Sequence, residues 1–164
     1  MSRRPNHHLL RTLAAVSPAS RVVEVGSDDG RHTAPLAQLG FEVWASDRHD
    51  AAVRATRERL AGVTDDSYAA EHVSTMAPAA LGYPDAYAHW IVITTLPEVE
   101  KWRDVIEEAR RVLAPGAWLW TETDAPEALV GLAHEVGLVV AEDAASDADG
   151  EPAHVVLRRP EERR

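Results

Sequence analysis

The chain has 164 residues, with 27 acidic against 17 basic side chains and a formal charge of -10. This length predicts one domain with a sizeable core, and the acidic balance argues against nonspecific nucleic-acid binding, which depends on neutralising phosphates. The absence of cysteine excludes a disulfide framework, a thiol nucleophile and a thiolate metal site.

No apolar run is long enough to span a membrane, and the N-terminal residues lack the apolar core of a signal peptide. A cytoplasmic protein without a membrane partner is therefore expected. Lys101 is the only lysine, while arginine and alanine are frequent; this reads as base composition of the source genome, not as function.

Leu9 to Val16 carries apolar residues at helical spacing, and Ser17-Pro18 breaks the run. Residues 1–20 are thus a short leading helix and linker. Arg21 to Val25 is an apolar strand that contains Glu24. Gly26 follows, then the polar turn Ser27-Asp28-Asp29-Gly30. Glycine permits the positive φ angles and the close backbone approach of such a turn. Thr33 to Leu39 is helical, with Gly40 as its stop.

Phe41 to Ser46 is the second strand, and Asp47 stands at its end. Ala51 to Leu60 is a helix closed by Gly62, and 62–67 is a polar loop. Tyr68 to Thr75 is placed as the third strand. Ala86 to Thr95 is apolar throughout, as a parallel strand buried on both faces should be.

Pro97 opens the next helix, whose apolar stripe is Val99, Trp102, Ile106, Ala109 and Leu113. Ala114-Pro115-Gly116 ends it. Ala117 to Thr123 is a strand and Pro126 to Val136 a helix. Leu138 to Ala141 and Ala153 to Leu157 are strands joined by an acidic loop, and 160–164 is a mobile tail. Alternating strands and helices give an α/β domain over 21–159 with a mostly parallel sheet.

A strand, a glycine turn and a helix, followed by an acid at the end of the next strand, is the Rossmann-like arrangement. The chain resembles class I S-adenosylmethionine-dependent methyltransferases. Glu24 matches the acid that ends that family's first strand, Gly26 and Gly30 match the outer glycines of Gly-x-Gly-x-Gly, and Asp47 matches the second acid. Asp28 stands where the middle glycine would be. Arg110-Arg111-Val112-Leu113-Ala114-Pro115-Gly116-Ala117 is similar to the family's Arg-Val-Leu-x-Pro-Gly-Gly.

The resemblance implies a doubly wound, seven-stranded sheet with an antiparallel C-terminal hairpin. It also implies S-adenosylmethionine as cofactor, held by Glu24, Gly26, Ser27, Asp28, Gly30 and Asp47. The Asp28 carboxylate would sit near the donor's carboxylate and repel it, or near its ammonium group and help. The alternative for Asp28 and Asp29 is that they only cap the following helix. In the family an acid after the third strand accepts from the adenine amino group; here Ser74, Thr75 and Met76 occupy that place, and Thr75 is assigned the contact.

Thr94 and Thr95 close the central strand, where the family faces the methyl group and the substrate. Thr94 is assigned there as a cofactor contact, and Thr95 to capping the helix at Pro97. His32 and Thr94 are the candidates for a catalytic role, which is otherwise undefined. Within the resembling family, the nucleic-acid and protein-amide methyltransferases carry an Asn-Pro-Pro-Tyr type motif here; Thr-Thr-Leu-Pro argues against methylation of a base nitrogen or glutamine, and a small-molecule acceptor is expected. A near-minimal core leaves that acceptor lightly enclosed, or a homodimer or partner subunit completes the pocket.

No metal site is expected. The eight histidines are scattered, with His7-His8 in a disordered start and His89 in the core. Two rivals stand beside the methyltransferase reading. One is a catalytically inactive binding or partner subunit. The other is a nicotinamide-dependent oxidoreductase, whose fingerprint needs glycine at positions where this chain has Asp28 and Arg31.

Overall fold

Short apolar runs bounded by turn residues become strands, and four of them lead into a helix. The computed structural model describes residues 4–146 and 150–162. The helices are α1 (His7–Ala14), α2 (Thr33–Gln38), α3 (Asp50–Ala61), α4 (Asp66–His72), α5 (Trp102–Val112) and α6 (Pro126–Glu135). The strands are β1 (Arg21–Val25), β2 (Glu42–Asp47), β3 (Val73–Thr75), β4 (Ala88–Ile93), β5 (Leu113–Glu122), β6 (Val139–Ala144) and β7 (His154–Arg158). They form a seven-stranded sheet in the order β3-β2-β1-β4-β5-β7-β6. The chain divides into two units, one up to Pro78 and one from Ala79.

In the first unit β1 runs parallel to β2, and β2 parallel to β3. Val22, Val23 and Val25 are buried in β1. Asn6 caps α1 by accepting the Leu9 amide, and Leu9 and Leu13, one helical turn apart, are fully buried. α3 turns Val53 and Leu60 towards Ala45, Ala69 and Val73.

The loop over 62–67 and the strand over 68–75 expected from the sequence do not form as such. Residues 66–72 are helix, and the third strand is only Val73–Thr75. The side chain of Asp65 accepts the Tyr68 amide at 2.8 Å, an N-cap of the kind that stabilises a helix start. Ala69 and His72, three residues apart, are the buried face. The aromatic and β-branched content that suggested a strand is used differently. The Tyr68 hydroxyl accepts the Val43 amide at 3.1 Å, and the His72 ring lies between Tyr68 (3.7 Å) and Trp44 (4.1 Å).

In the second unit β4 is parallel to β5, and β7 is antiparallel to both β5 and β6. β4 is buried except at His89, so His89 is not a core residue. Pro97 does not open the next helix. A single 3-10 turn over Val99–Lys101 precedes α5, and the Pro97 carbonyl accepts from the Trp102 indole at 2.8 Å.

The buried face of α5 is Trp102, Val105, Ile106, Ala109 and Val112, while Val99 is 57% exposed. Thr95 therefore caps no helix, since α5 starts at Trp102 after Lys101. Arg111 ties the approach to β4: its guanidinium donates to the carbonyls of Leu81 and Tyr83 and to the carboxylates of Asp85 and Glu108. His7 and His8 are helical residues of α1, not a disordered start. Residues 147–149, within the expected acidic loop, and the end of the expected tail lie outside the described residues.

Candidate functional site

The turn after β1 is built by extending the β1–β2 pairing past the end of the strand. The amides of Gly26 and Ser27 both donate to the Ser46 carbonyl, at 2.8 and 3.0 Å. Gly26 then takes φ +79°, Asp28 +53° and Gly30 +76°. Asp28 is thus a non-glycine residue in the left-handed region, which Asp tolerates better than most residues.

Gly30 is required by packing as well as by φ. A Cβ there would lie 3.0 Å from Thr56 Cα and 3.3 Å from Thr56 Cγ2 on α3. Thr56 also bonds the turn. Its hydroxyl lies 3.0 Å from the Ser27 hydroxyl and 3.1 Å from the Asp28 carbonyl. Ser27 is 1% exposed, with amide and hydroxyl both engaged inside the protein.

Asp47 joins this turn to the end of β2. Its Oδ2 accepts the Asp28 amide at 3.0 Å and its Oδ1 accepts the His49 amide at 2.9 Å. Asp47 is 8% exposed, and its carboxylate is fixed in direction by these two bonds. An ionised carboxylate has about four acceptor positions, so each oxygen can take a further donor. Thr75 is the register partner of Asp47 on β3, and its hydroxyl donates to Asp50 Oδ1 at 2.7 Å. An acid from the start of α3 therefore stands beside the end of β3, where the sequence has none.

Glu24 points into the interior and is 0% exposed. Its Oε2 accepts the Thr33 hydroxyl at 2.6 Å, and its Oε1 is 3.7 Å from His32 Nδ1. His32 Nε2 accepts the Asn6 amide at 2.9 Å. A backbone amide can only donate, so the neutral ring carries its proton on Nδ1, towards Glu24. The ring is 1% exposed and spans from α1 to β1.

The acids of the turn do not cap α2, which starts at Thr33 with no side-chain cap bond. Asp29 accepts the Arg31 amide and pairs with Arg59 at 3.1 Å. Asp28 pairs with Arg31 at 3.2 Å. Glu24, Gly26, Ser27, Asp28, Gly30, His32, Asp47 and Thr75 all belong to the first unit. Thr94 belongs to the second, one residue past β4 and half-buried.

Sequence reasoning missed four contributors: Asn6, Arg31, Asp50 and Thr56. Arg31, next to Gly30, was the most accessible to it, but nothing in a sequence marks an arginine as buried. Among the described residues no group of three or more His, Asp or Glu is placed to hold a metal ion, and no helix is long and apolar enough to cross a membrane.

A family profile described as a methyltransferase domain matches residues 23–119, from β1 into β5. The chain belongs to the methyltransferase domain family. Solved structures similar to it share its fold. A methyltransferase from Methanosarcina mazei is 15% identical, with a TM-score of 0.70, over 99% of this chain and 100% of that one. The N-methyltransferase NodS from Bradyrhizobium japonicum is 20% identical, with a TM-score of 0.74, over 94% of each chain. Magnesium protoporphyrin IX methyltransferase from Synechocystis, solved with bound S-adenosylmethionine, is 16% identical, with a TM-score of 0.73, over 93% of this chain and 78% of that one. No curated protein matches the chain.

Proposed function

We propose that this chain transfers a methyl group from S-adenosylmethionine to a small-molecule acceptor. The observation that carries the reading is the Asp47 carboxylate, aimed by the amides of Asp28 and His49 in a domain of the methyltransferase family. Its spare lone pairs are suited to the two hydroxyls of a ribose. Gly26 and Asp28 shape the turn that would carry the donor's amino-acid portion. Thr75 with Asp50 would meet the adenine edge.

The donor supplies a methyl group already activated on a sulfonium. What remains for the protein is positioning and electrostatics. Glu24 contributes indirectly: through Thr33 and His32 it holds the turn against α2 and α1. His32, buried between the Asn6 amide and Glu24, is assigned to holding this packing and not to acting as a base. Thr94, at the carboxyl end of β4, is assigned to orienting the acceptor.

Two of the similar structures carry a small-molecule acceptor in their names, a geranyl diphosphate methyltransferase and the magnesium protoporphyrin IX methyltransferase. The test is formation of S-adenosylhomocysteine from S-adenosylmethionine across a panel of small amine, hydroxyl and carboxyl acceptors. Acceptor-dependent turnover supports the reading. Stoichiometric donor binding with no turnover on any acceptor favours an inactive binding subunit, the reading motivated by Asp28 in place of glycine. A protein that binds no donor contradicts both.

A further inference from the structure

The turn after β1 contains a cation that the proposed reaction has not yet used. The Arg31 side chain is 8% exposed. Among the described residues its guanidinium meets one acceptor, Asp28 Oδ2, at 3.2 Å. A guanidinium offers five donors in a planar fork that matches a carboxylate, and charge-assisted bonds of this type are usually shorter, about 2.7–2.9 Å. A nearly buried arginine thus has most of its donor capacity to spare. Its single partner is held weakly. The Asp28 side chain is 65% exposed, and its residue stands in the left-handed region at φ +53°.

The Asp28 amide is meanwhile fixed on Asp47. The backbone of this residue belongs to the rigid part of the turn while its carboxylate is exchangeable. We propose that Arg31 is the receptor for the α-carboxylate of the methyl donor, and that Asp28 occupies Arg31 before the donor binds and yields it on binding. The inference rests on the donor assignment above and deepens it. One carboxylate replaces another on the same guanidinium, so no charge is left unpaired there. The aspartate in place of the family's middle glycine becomes an internal competitor that weakens donor binding without abolishing it.

The test compares S-adenosylmethionine with decarboxylated S-adenosylmethionine, by calorimetric titration of the full chain and of Arg31→Met, Arg31→Lys and Asp28→Gly. Wild type should bind the intact donor at least about tenfold more tightly than the decarboxylated one, the scale of one charge-assisted pair. Arg31→Met should lose about ten- to a hundredfold for the intact donor and little for the decarboxylated one. Arg31→Lys should lose less, since it keeps a point charge but not the fork.

Asp28→Gly removes an exposed side chain at a position glycine adopts freely, so it should fold and bind the intact donor several-fold more tightly. Equal loss for both ligands in Arg31→Met, or no gain in Asp28→Gly, overturns the assignment while the donor reading stands. Wild type that binds neither ligand overturns both.

Discussion

Gly30→Ala tests whether the turn is locked by packing against α3. The new Cβ would lie 3.0 Å from Thr56 Cα and 3.3 Å from its Cγ2. The first is a backbone atom in the middle of a helix and cannot swing aside. The residue must also hold φ +76°, which costs an L-residue about 1–2 kcal/mol. Overpacking of this type adds about 1–3 kcal/mol.

A loss of about 2–5 kcal/mol follows from these two terms. For a chain of this size it corresponds to a fall in melting temperature of roughly 4–20 °C. Thermal unfolding followed by far-UV circular dichroism reads it directly. A second glycine provides the contrast. A Cβ at Gly131, inside α6, meets nothing within 4 Å, so Gly131→Ala should stabilise by about 0.5–1 kcal/mol through helix propensity alone. A Gly30→Ala melt within about 1 °C of wild type would refute the packing argument, since the angle term by itself predicts a larger shift.

Thr33→Val keeps the shape of Thr33 but removes the 2.6 Å hydrogen bond to the buried Glu24 carboxylate; it should cost about 1.5–3 kcal/mol in urea unfolding, and an unchanged midpoint would sink this role. The Arg111 guanidinium beside Glu108 holds its carboxyl below the ordinary glutamate value, helped by the Leu81 amide. A depressed folded pKa contributes stability that is present above the unfolded value, about 4.3, and is lost as pH falls through the lower folded value. Wild type should therefore lose stability more steeply than Glu108→Gln below about pH 4.3 in urea titrations, and identical acid slopes would contradict the assignment.

Much of this architecture is legible in the sequence because apolar runs and glycines are strong local signals. Arg21–Val25 ends where the strand ends, and Gly40 and Gly137 follow their helices in left-handed conformations. The segment 62–75 misled because Tyr68 and His72 suit a strand by composition. Their actual work, accepting the Val43 amide of β2 and packing against Trp44, depends on partners distant in sequence. Pro97 misled for a related reason. It can begin a helix, but here its carbonyl is taken by the Trp102 indole and the helix starts five residues later, at Trp102.

In the site, Glu24, Gly26, Gly30 and Asp47 were placed by spacing. Spacing says nothing about direction, so it could not separate Asp47, aimed by two amides at 8% exposure, from Glu24, sealed inside against Thr33 and His32. The ion pair between Asp28 and Arg31 bears on the choice left open for Asp28, because that carboxylate is matched by a cation of its own turn.

The most direct test of the account is calorimetric titration with S-adenosylmethionine and with S-adenosylhomocysteine, on wild type and on Asp47→Ala. The account predicts binding near one ligand per chain and its loss in Asp47→Ala, with the variant still folded by circular dichroism. Saturating donor, at about 100 times its dissociation constant, should also raise wild-type stability by about 2.7 kcal/mol. No binding of either ligand to wild type at millimolar concentration, or equal binding by Asp47→Ala, would contradict it.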